Sequence, residues 1–367
     1  MTIRPQRGLE KIQPYVPGKP IREVEREYGL HDVLKLASNE NPFGVSPKAL
    51  AAMRDALADA YRYPDGASYD LRSALAKHFG FALDQVAVGN GADDVILHIA
   101  MAYLDEGDEA IVSRSSFPIY DIYVHAMRAS LIKTPLASGH RLDLDAMARA
   151  VTPRTKLLFV CNPNNPTGTI STAREMARFL AAVPDHVLII LDEAYAEMVD
   201  STEFPDGLAY VREGRENVLV LRTFSKVYGL AGIRLGYGFG HARTVAPMFK
   251  VKPAFTVNVL AQAAGIAALD DEEFLRHTVD ENRKGRRFFC EAFDRLGLEY
   301  AESHTNFVLV RIGPAAVDMQ RALLRRGIIV RPCVAYDLPD FLRISIGTAE
   351  QNERLVAALA DEVGAGS

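Results

Sequence analysis

Cysteine is scarce in this sequence. Only Cys161, Cys290 and Cys333 occur in 367 residues, and they are far apart in the chain. None belongs to a CxxC pair or to a cysteine and histidine cluster of the kind that binds a metal ion, so no metal site is expected. Scattered, unpaired cysteines are typical of proteins from a reducing compartment, and the sequence therefore predicts a cytoplasmic location.

Long apolar runs and an excess of positive charge are missing as well. No apolar run approaches the roughly 20 residues needed to cross a bilayer. The first residues, MTIRPQRGLEKIQPY, lack the apolar centre of a signal peptide. The formal net charge is -5, which gives no basic surface for nucleic acid. We therefore expect neither a membrane nor a nucleic acid as a partner.

The composition is otherwise that of a globular protein, with 49% hydrophobic and 24% charged residues. A chain of this length can bury a large core and divide into two or three domains. Residues 1–34 are rich in proline, with QPYVPGKP followed by the helical stretch IREVEREYG, and are predicted to form an N-terminal arm. Residues 35–262 are predicted to form a large domain and residues 263–367 a smaller one.

Short apolar runs alternate with helical patterns in the predicted large domain. The strand-like runs are 85–89, 109–113, 155–161, 186–192, 217–221 and 237–240, and helical stretches such as ADDVILHIAMAYL lie between them. This alternation predicts an α/β fold with a mainly parallel sheet covered by helices. Beyond residue 263, charged helices and the short runs NFVLVRI, GIIVRP and FLRISIG predict a smaller α+β domain.

Four of the predicted strands are followed by polar or glycine-rich segments. These segments are GNGADD, CNPNNPTG, LDEAY and RTFSK. Ligands of open parallel sheets bind beyond the carboxyl ends of the strands, so the four segments are expected to meet in one site. GNGADD suits a phosphate at a helix N-terminus. It lacks the third glycine of a dinucleotide-binding fingerprint, because Asp94 stands there, and this disfavours a nicotinamide dehydrogenase.

Two charged residues at these strand ends indicate the chemistry. Asp192 ends one apolar run and is either a turn cap or a partner for a cationic ring nitrogen. Lys226 follows another run and has three possible roles: surface charge, phosphate binding or Schiff-base formation. Arg234 offers a cation or a phosphate ligand. Taken together, phosphate donors, a carboxylate for a ring nitrogen and an imine-forming lysine describe a site for pyridoxal phosphate.

The sequence also resembles a known family. The motifs NENPFG, GNGADD, NPNNPTG, DEAY, SKVYGLAGIRLGY, GIIVRP and LRISIGT resemble those of the fold-type-I, class-II pyridoxal phosphate aminotransferases. PYVPGKP, NENPFG and RYPDGAS resemble, more narrowly, the histidinol-phosphate aminotransferase family. The resemblance extends from PYVPGKPI to RISIGTAEQNE and so covers nearly the whole chain.

The resemblance implies roles for residues around a pyridoxal 5′-phosphate cofactor. Lys226 would carry the cofactor as a Schiff base and move the proton, Asp192 would pair with the ring nitrogen, and Asn165 and Tyr195 would bind the ring 3′-oxygen. Phe117 would stack on the ring, with Tyr120 as a second choice and core packing as the plain alternative. The cofactor phosphate would be bound by Gly91, Ala92, Asp93, Thr223, Ser225 and Arg234.

The resemblance also implies substrates and a partner. Arg343 would bind the α-carboxylate of glutamate and 2-oxoglutarate, and Asn165 would also contact the substrate. Arg331 and Tyr15 would face the substrate's distal phosphate and ring. Tyr63 would reach the cofactor phosphate of a second subunit, which implies a homodimer. Each has a plain alternative: a structural ion pair for Arg331, a turn for Tyr63, and an unconstrained arm for Tyr15.

The implied reaction is transamination between L-histidinol phosphate and 2-oxoglutarate, a step of histidine biosynthesis. Two rivals remain open: an aromatic amino acid aminotransferase, and a threonine-phosphate decarboxylase on the same scaffold. The chain departs from the family pattern in two places, PAFTVN (253–258), where Thr256 replaces a common asparagine, and AYDLP (335–339). Both departures are expected near the substrate.

Overall fold

The computed structural model describes residues 3–365 of the chain, with helices and strands alternating over most of that length. The strands are β1 Leu34–Lys35, β2 Val86–Gly89, β3 Glu109–Ser113, β4 Ser130–Thr134, β5 Thr155–Cys161, β6 Leu188–Asp192, β7 Val218–Thr223, β8 Gly236–Gly240, β9 Phe307–Arg311, β10 Ile328–Ile329, β11 Arg331–Pro332 and β12 Phe341–Ser345. The helices are α1 Ile21–Tyr28, α2 Pro47–Ala56, α3 Tyr69–Phe79, α4 Ala92–Tyr103, α5 Ile119–Ala126, α6 Leu144–Arg149, α7 Ala173–Ala182, α8 Gly207–Arg212, α9 Ala242–Val245, α10 Met248–Val251, α11 Val259–Leu269, α12 Glu272–Arg295, α13 Ala316–Arg325 and α14 Ala349–Ala365.

A seven-stranded sheet forms the centre of the molecule, in the order β2-β8-β7-β6-β5-β3-β4. Neighbouring strands from β7 to β4 run parallel, and β8 runs antiparallel to both β7 and β2. The α/β fold with a mainly parallel sheet is therefore confirmed. In the register of β5, β6 and β7, Asp192 lies between Cys161 and Leu221, so these carboxyl ends form one edge.

Alternate residues of the strands pack on opposite sides of the sheet. On β7, Val218 and Val220 belong to one apolar cluster, while Leu219 and Leu221 belong to the other. Helices cover both faces, and every residue of β2, β3, β6 and β8 is buried. Burial on both faces explains why these strands read as continuous apolar runs in the sequence.

The six predicted strands are present, and the structure adds β4, which was not predicted. Its sequence, SLIKT, lies at the edge of the sheet, paired only with β3, and its first residue is exposed. An edge strand that is half covered carries polar residues and shows no apolar run. The structure therefore adds the edge strand β4 to the predicted large sheet, and the short strand β1 was likewise not predicted.

The C-terminal part contains the antiparallel sheet β11-β12-β9, and a separate pair, β1 and β10, runs parallel. Leu34 and Leu36 pack in the same apolar cluster as Ile328 and Ile344. Helix α11 crosses the predicted limit at 262/263, and its buried residues join the core of the large sheet. The limits 34/35 and 262/263 stay predictions.

Within residues 3–365, no helix is both long and apolar enough to cross a membrane. The three cysteines are free thiols, with Cys161 and Cys333 buried. The cytoplasmic location stays a prediction.

Candidate active site

A cavity of about 280 Å³ opens at the carboxyl edge of the large sheet, where the four polar segments meet. Twelve of the fifteen predicted site residues line it: Tyr15, Ala92, Asp93, Phe117, Asn165, Asp192, Tyr195, Thr223, Ser225, Lys226, Arg234 and Arg343. Gly91, Tyr63 and Arg331 lie outside the cavity lining. The expectation that separate strand ends contribute to one site therefore matches the geometry.

Lys226 lies three residues beyond the end of β7 and lines this cavity. Its ammonium nitrogen is 5.7 Å from the centre of the Tyr195 ring. Burial and the nearby guanidinium of Arg343 lower the pKa of Lys226 to about 8, although Asp93 and Glu40 oppose the shift. A lysine with a lowered pKa is available as a neutral amine, which is the nucleophilic form.

Asp192, the last residue of β6, is buried at the bottom of the cavity. Its Oδ2 accepts a hydrogen bond of 2.5 Å from the Tyr120 hydroxyl, and its Oδ1 accepts one of 3.1 Å from the backbone N–H of Ala194. Burial raises the pKa of this carboxyl, and the two hydrogen bonds act in the opposite direction. A buried carboxylate held in this way suits a cationic partner.

Two aromatic residues were considered for stacking on the cofactor ring, and they occupy different positions. Phe117 lines the cavity, half-buried. Tyr120 is fully buried, stacked on Phe159 at 4.6 Å and bound to Asp192. The rings of Phe117 and Tyr120 meet edge to face at 5.7 Å. The assignment of Phe117 as the stacking residue stays a prediction, and Tyr120 lies behind it.

Asn165 and Tyr195 each have a hydrogen-bonding partner beside the cavity. Oδ1 of Asn165 accepts a hydrogen bond of 2.6 Å from Nη1 of Arg343. The hydroxyl of Tyr195 accepts one of 2.9 Å from Nδ2 of Asn39, and burial raises its pKa. Both side chains therefore keep hydrogens that can be donated to a ligand.

A cationic corner lies opposite, between α4 and the turn before β8. Gly91 precedes α4 with φ 92°, and a Cβ there would lie 2.4 Å from Nη2 of Arg234. That nitrogen is 3.6 Å from Asp93, and Nη1 donates to the carbonyl of Ala231 at 3.1 Å. Arg234, the N-terminus of α4 and the nearby hydroxyl of Ser225 together offer the donors that an anion would need, and we call this group the anion-binding corner.

The hydroxyls of Thr223 and Ser225 complete the corner. Oγ1 of Thr223 donates to the carbonyl of Leu235 at 3.3 Å and accepts from the backbone N–H of Ser225 at 3.1 Å. Oγ of Ser225 accepts a long hydrogen bond of 3.5 Å from Arg234. These bonds fix the loop that joins β7 to β8 at the sheet edge.

Two arginines lie side by side on the small sheet. Arg331 on β11 and Arg343 on β12 are directly paired in register, and both are buried. Arg343 donates to the carbonyl of Ala37 at 2.7 Å, and its Nε has no partner among the described residues. Arg331 likewise has an unpartnered Nε within 3–365. Unsatisfied guanidinium nitrogens favour an anionic ligand.

The arm reaches this pair through Tyr15. The Arg331 guanidinium carbon lies 5.6 Å from the centre of the Tyr15 ring, and Tyr15 is 42% exposed while lining the cavity. Tyr336, from the divergent AYDLP segment, lies below both arginines at 5.8 and 5.9 Å. Thr256, the other divergent position, instead donates to Oδ2 of Asp94 at 2.5 Å and does not line the cavity.

Tyr63 lies away from the cavity of its own chain. Its side chain is 82% exposed and stacks on Phe255 at 4.6 Å. Tyr61 and Tyr69 are exposed nearby in the sequence. Exposed aromatic side chains are enriched at protein interfaces.

Sequence reasoning missed several residues of the site. Asn39 and Tyr120 hold Tyr195 and Asp192, Tyr336 lies under the arginines, and Glu40 and Cys161 line the cavity. Asn39 and Glu40 belong to the motif NENPFG, which carries part of the family resemblance, but no role was predicted for either residue. Tyr120 is predicted only as a second choice for ring stacking, and its hydrogen bond to Asp192, 72 residues away, is not evident from the sequence.

The assembled groups define a chemistry. An amine with a lowered pKa, a buried carboxylate, two donors and an anion-binding corner fit a phosphorylated pyridine aldehyde held as a Schiff base. The paired arginines fit a second, anionic compound.

Comparison with known proteins agrees with this chemistry. Residues 31–359 match the family model "Aminotransferase class I and II", so the chain belongs to that family. Within it, the chain is similar to the histidinol-phosphate aminotransferase of Moorella thermoacetica, 45% identical over 96% of this chain and 92% of that protein. The enzyme of the same name from Symbiobacterium thermophilum is 46% identical over 98% of both chains. This similarity confirms the resemblance to the histidinol-phosphate aminotransferase family.

Solved structures extend the comparison. The histidinol-phosphate aminotransferase of Sinorhizobium meliloti, in complex with pyridoxal-5′-phosphate, matches with a TM-score of 0.90 at 30% identity, over 100% of this chain and 99% of that one. Aspartate aminotransferase from Thermus thermophilus with maleate matches with a TM-score of 0.83 at 25% identity, over 99% and 100%. The fold is thus shared by aminotransferases of different names, and the fold alone does not select a substrate.

Proposed function

We propose that this protein is a pyridoxal phosphate-dependent aminotransferase that transfers an amino group between L-histidinol phosphate and 2-oxoglutarate. The observation that carries the proposal is the single cavity that joins the Lys226 amine, the Asp192 carboxylate and the Arg343 guanidinium. Identity of about 45% to histidinol-phosphate aminotransferases over nearly the full length supports the substrate.

The cavity residues fit the cofactor at each of its polar groups. Lys226 would form the covalent link, Asp192 would hold the ring nitrogen, and Asn165 and Tyr195 would donate to the 3′-oxygen. The phosphate would lie at the N-terminus of α4, bound by Gly91, Ala92, Asp93, Thr223, Ser225 and Arg234. Bound there, pyridoxal phosphate supplies an electron sink for the charge left at the substrate Cα.

The protein's own residues then direct the proton and exclude water. The Lys226 amine, when not bound to the cofactor, would remove a proton from the substrate Cα, because its pKa of about 8 leaves about half of it neutral near pH 8. The buried carboxylate of Asp192 is held by the Tyr120 hydroxyl, and burial strengthens its attraction for a cation.

Two arginines serve two substrates in turn. Arg343 would bind the carboxylate of glutamate or 2-oxoglutarate, and the guanidinium geometry suits either a carboxylate or a phosphate. Arg331, paired with Arg343 across the strands, would bind the distal phosphate of histidinol phosphate or the distal carboxylate of glutamate. Tyr15, whose ring lies next to Arg331, would pack against the ring of the substrate.

We also propose a homodimer in which Tyr63 reaches the cofactor phosphate of the partner. Support comes from the stacked pair of exposed aromatic rings formed by Tyr63, which is 82% exposed, and Phe255, which is 48% exposed. Exposed aromatic rings are costly in water and are enriched at protein interfaces.

The substrate is tested by comparing kcat/KM for L-histidinol phosphate, phenylalanine and threonine phosphate, each with 2-oxoglutarate present. We expect histidinol phosphate to be preferred by at least about 100-fold, because a site built to bind a buried phosphate leaves charged groups unpaired with phenylalanine. Equal or better use of phenylalanine would favour an aromatic amino acid aminotransferase. Release of carbon dioxide from threonine phosphate without transfer of its amino group would favour the decarboxylase.

A further inference from the structure

Asn39, which follows β1, has an unusual backbone and a buried polar side chain. Its φ is 56°, in the left-handed region that residues other than glycine rarely adopt, and only 2% of the residue is exposed. Asparagine and aspartate tolerate this conformation better than other residues with a side chain, so the position suits Asn39. Asn39 was not among the residues predicted from the sequence.

Four hydrogen bonds of 2.9 Å hold Asn39 between the large sheet and the small antiparallel sheet β11-β12-β9. Its Nδ2 donates to the hydroxyl of Tyr195, which follows β6 of the large sheet. Its Oδ1 accepts from the hydroxyl of Ser345 on β12, and its backbone N–H donates to the same hydroxyl. Its carbonyl accepts from the side chain of Asn306, next to β9.

The Ser345 hydroxyl determines which way the Asn39 amide faces. Its oxygen receives the backbone N–H of Asn39, so its own proton is available to the Asn39 side chain. The amide oxygen therefore faces Ser345, and the amide nitrogen, which can only donate, faces Tyr195.

This orientation determines the role of the Tyr195 hydroxyl in its hydrogen bond to Asn39. The phenol oxygen accepts from Asn39 and so cannot use its proton in that bond, and within residues 3–365 no protein group accepts that proton. Since Tyr195 lines the cavity, its O–H is free to donate to a ligand bound there. We propose that Asn39 is a positioning residue that turns the Tyr195 hydroxyl into an obligate donor to the 3′-oxygen of the cofactor. The inference rests on the proposed cofactor and is independent of the proposed substrate.

A defined donor matters because of what the 3′-oxygen does. A hydrogen bond to that oxygen stabilises its negative charge and so lowers the pKa of the imine formed at Lys226. If Tyr195 instead donated to a protein acceptor, this stabilisation would disappear. A hydrogen bond to a charged group is strong enough to move the pKa by about one unit.

The test is a pH titration of the visible absorption band of the purified holoenzyme, without substrate, in a double-mutant cycle. Asn39→Asp keeps the shape and tolerates the left-handed backbone, but it replaces the donor by an acceptor that captures the Tyr195 proton. We expect Asn39→Asp and Tyr195→Phe each to raise the midpoint by about one pH unit. In the Tyr195→Phe background, Asn39→Asp should add much less.

The cycle separates positioning from other effects. The charges that face Lys226, those of Arg343, Arg234, Asp93 and Glu40, are present in all four proteins. The introduced carboxylate acts with or without the tyrosine hydroxyl, so its charge effect appears equally in both backgrounds and cancels. Equal shifts in both backgrounds, or no shift in either, would overturn the proposal.

Asn39→Gly provides a second variant that needs no side chain to keep the positive φ. It should give a smaller upward shift of the midpoint, again only when Tyr195 is present. This variant decides the question if Asn39→Asp does not fold, and a shift that persists without the tyrosine hydroxyl would contradict the proposal. A wild-type protein with no visible band would contradict the cofactor itself, whereas activity on another amino donor would leave the titration result standing.

Discussion

At the scale of single residues, the site depends on charges that shift one another's protonation. Lys226 lies near the guanidinium groups of Arg343 and Arg234, and burial adds to their effect, so its pKa falls to about 8. The neutral amine is present above the pKa, so we expect the lysine to become nucleophilic as the pH rises through about 8 rather than through 10.5, its ordinary value. This consequence is open to direct measurement.

Asp192, Asn165 and Tyr195 are each also held by a neighbouring side chain. Tyr120 donates to Asp192, Arg343 donates to Asn165, and Asn39 donates to Tyr195. Such neighbours fix the orientation of these groups, which is what a preformed site requires.

At the scale of elements, the N-terminus of α4 and the loop before β8 form the anion-binding corner together. Gly91→Ala should weaken cofactor binding by about tenfold or more, because the new Cβ would lie 2.4 Å from the Arg234 guanidinium and displace it. Both φ 92° and the contact disfavour a side chain there. Cofactor affinity is measured by fluorescence or absorbance titration of the cofactor-free protein.

Gly107→Ala is the matched control for this prediction. Gly107 has a similar φ of 95°, but a Cβ there would meet no atom within 4 Å. Both substitutions should cost about 1–3 kcal/mol of stability from backbone strain. Similar cofactor affinities in the two variants would show that the Arg234 contact is unimportant.

The elements differ in how well the sequence predicts them. Strands β5, β6 and β7 are buried on both faces, so their apolar runs alone indicate them. The edge strand β4 escapes prediction because SLIKT is partly exposed and carries no such run. A parallel sheet also implies that polar segments after its strands converge, which is why Lys226 and Asp192 could be grouped from the sequence.

The missing parts of the site depend on long-range contacts. Asn39 and Ser345 are separated by 306 residues, and Tyr120 and Asp192 by 72. No local pattern shows that a given asparagine or tyrosine will face a particular partner across the fold. Motif resemblance predicted Asn165, Tyr195 and Arg343, because it assigns roles from positions in the sequence and needs no knowledge of the three-dimensional contacts.

At the scale of the whole molecule, the proposed homodimer predicts complementation between inactive subunits. Lys226→Ala and Tyr63→Ala proteins, each alone of low activity, should regain activity when unfolded together, mixed and refolded. A mixed dimer would contain one site with Lys226 from one chain and Tyr63 from the other. Random pairing of equal amounts should therefore restore about a quarter of the wild-type activity, since half of the dimers are mixed and each has one intact site.

Complementation distinguishes action across the interface from action within one chain. If Tyr63 acted on its own chain, every site in the mixture would lack one of the two residues, and the activity would stay low. The control mixes chains that carry Lys226→Ala alone with chains that carry both Lys226→Ala and Tyr63→Ala. No site in this mixture contains Lys226, whichever chain supplies Tyr63.

The central claim, that separate strand ends build one cofactor site on Lys226, is tested most directly by borohydride reduction of the protein with pyridoxal phosphate, followed by peptide mass mapping. We predict that the cofactor is fixed to Lys226 and that it attaches faster as the pH rises through about 8. The Lys226→Ala protein should be unlabelled, while Lys250→Ala, a control at an exposed lysine, should be labelled normally. Labelling of another lysine, or undiminished labelling of Lys226→Ala, would contradict it.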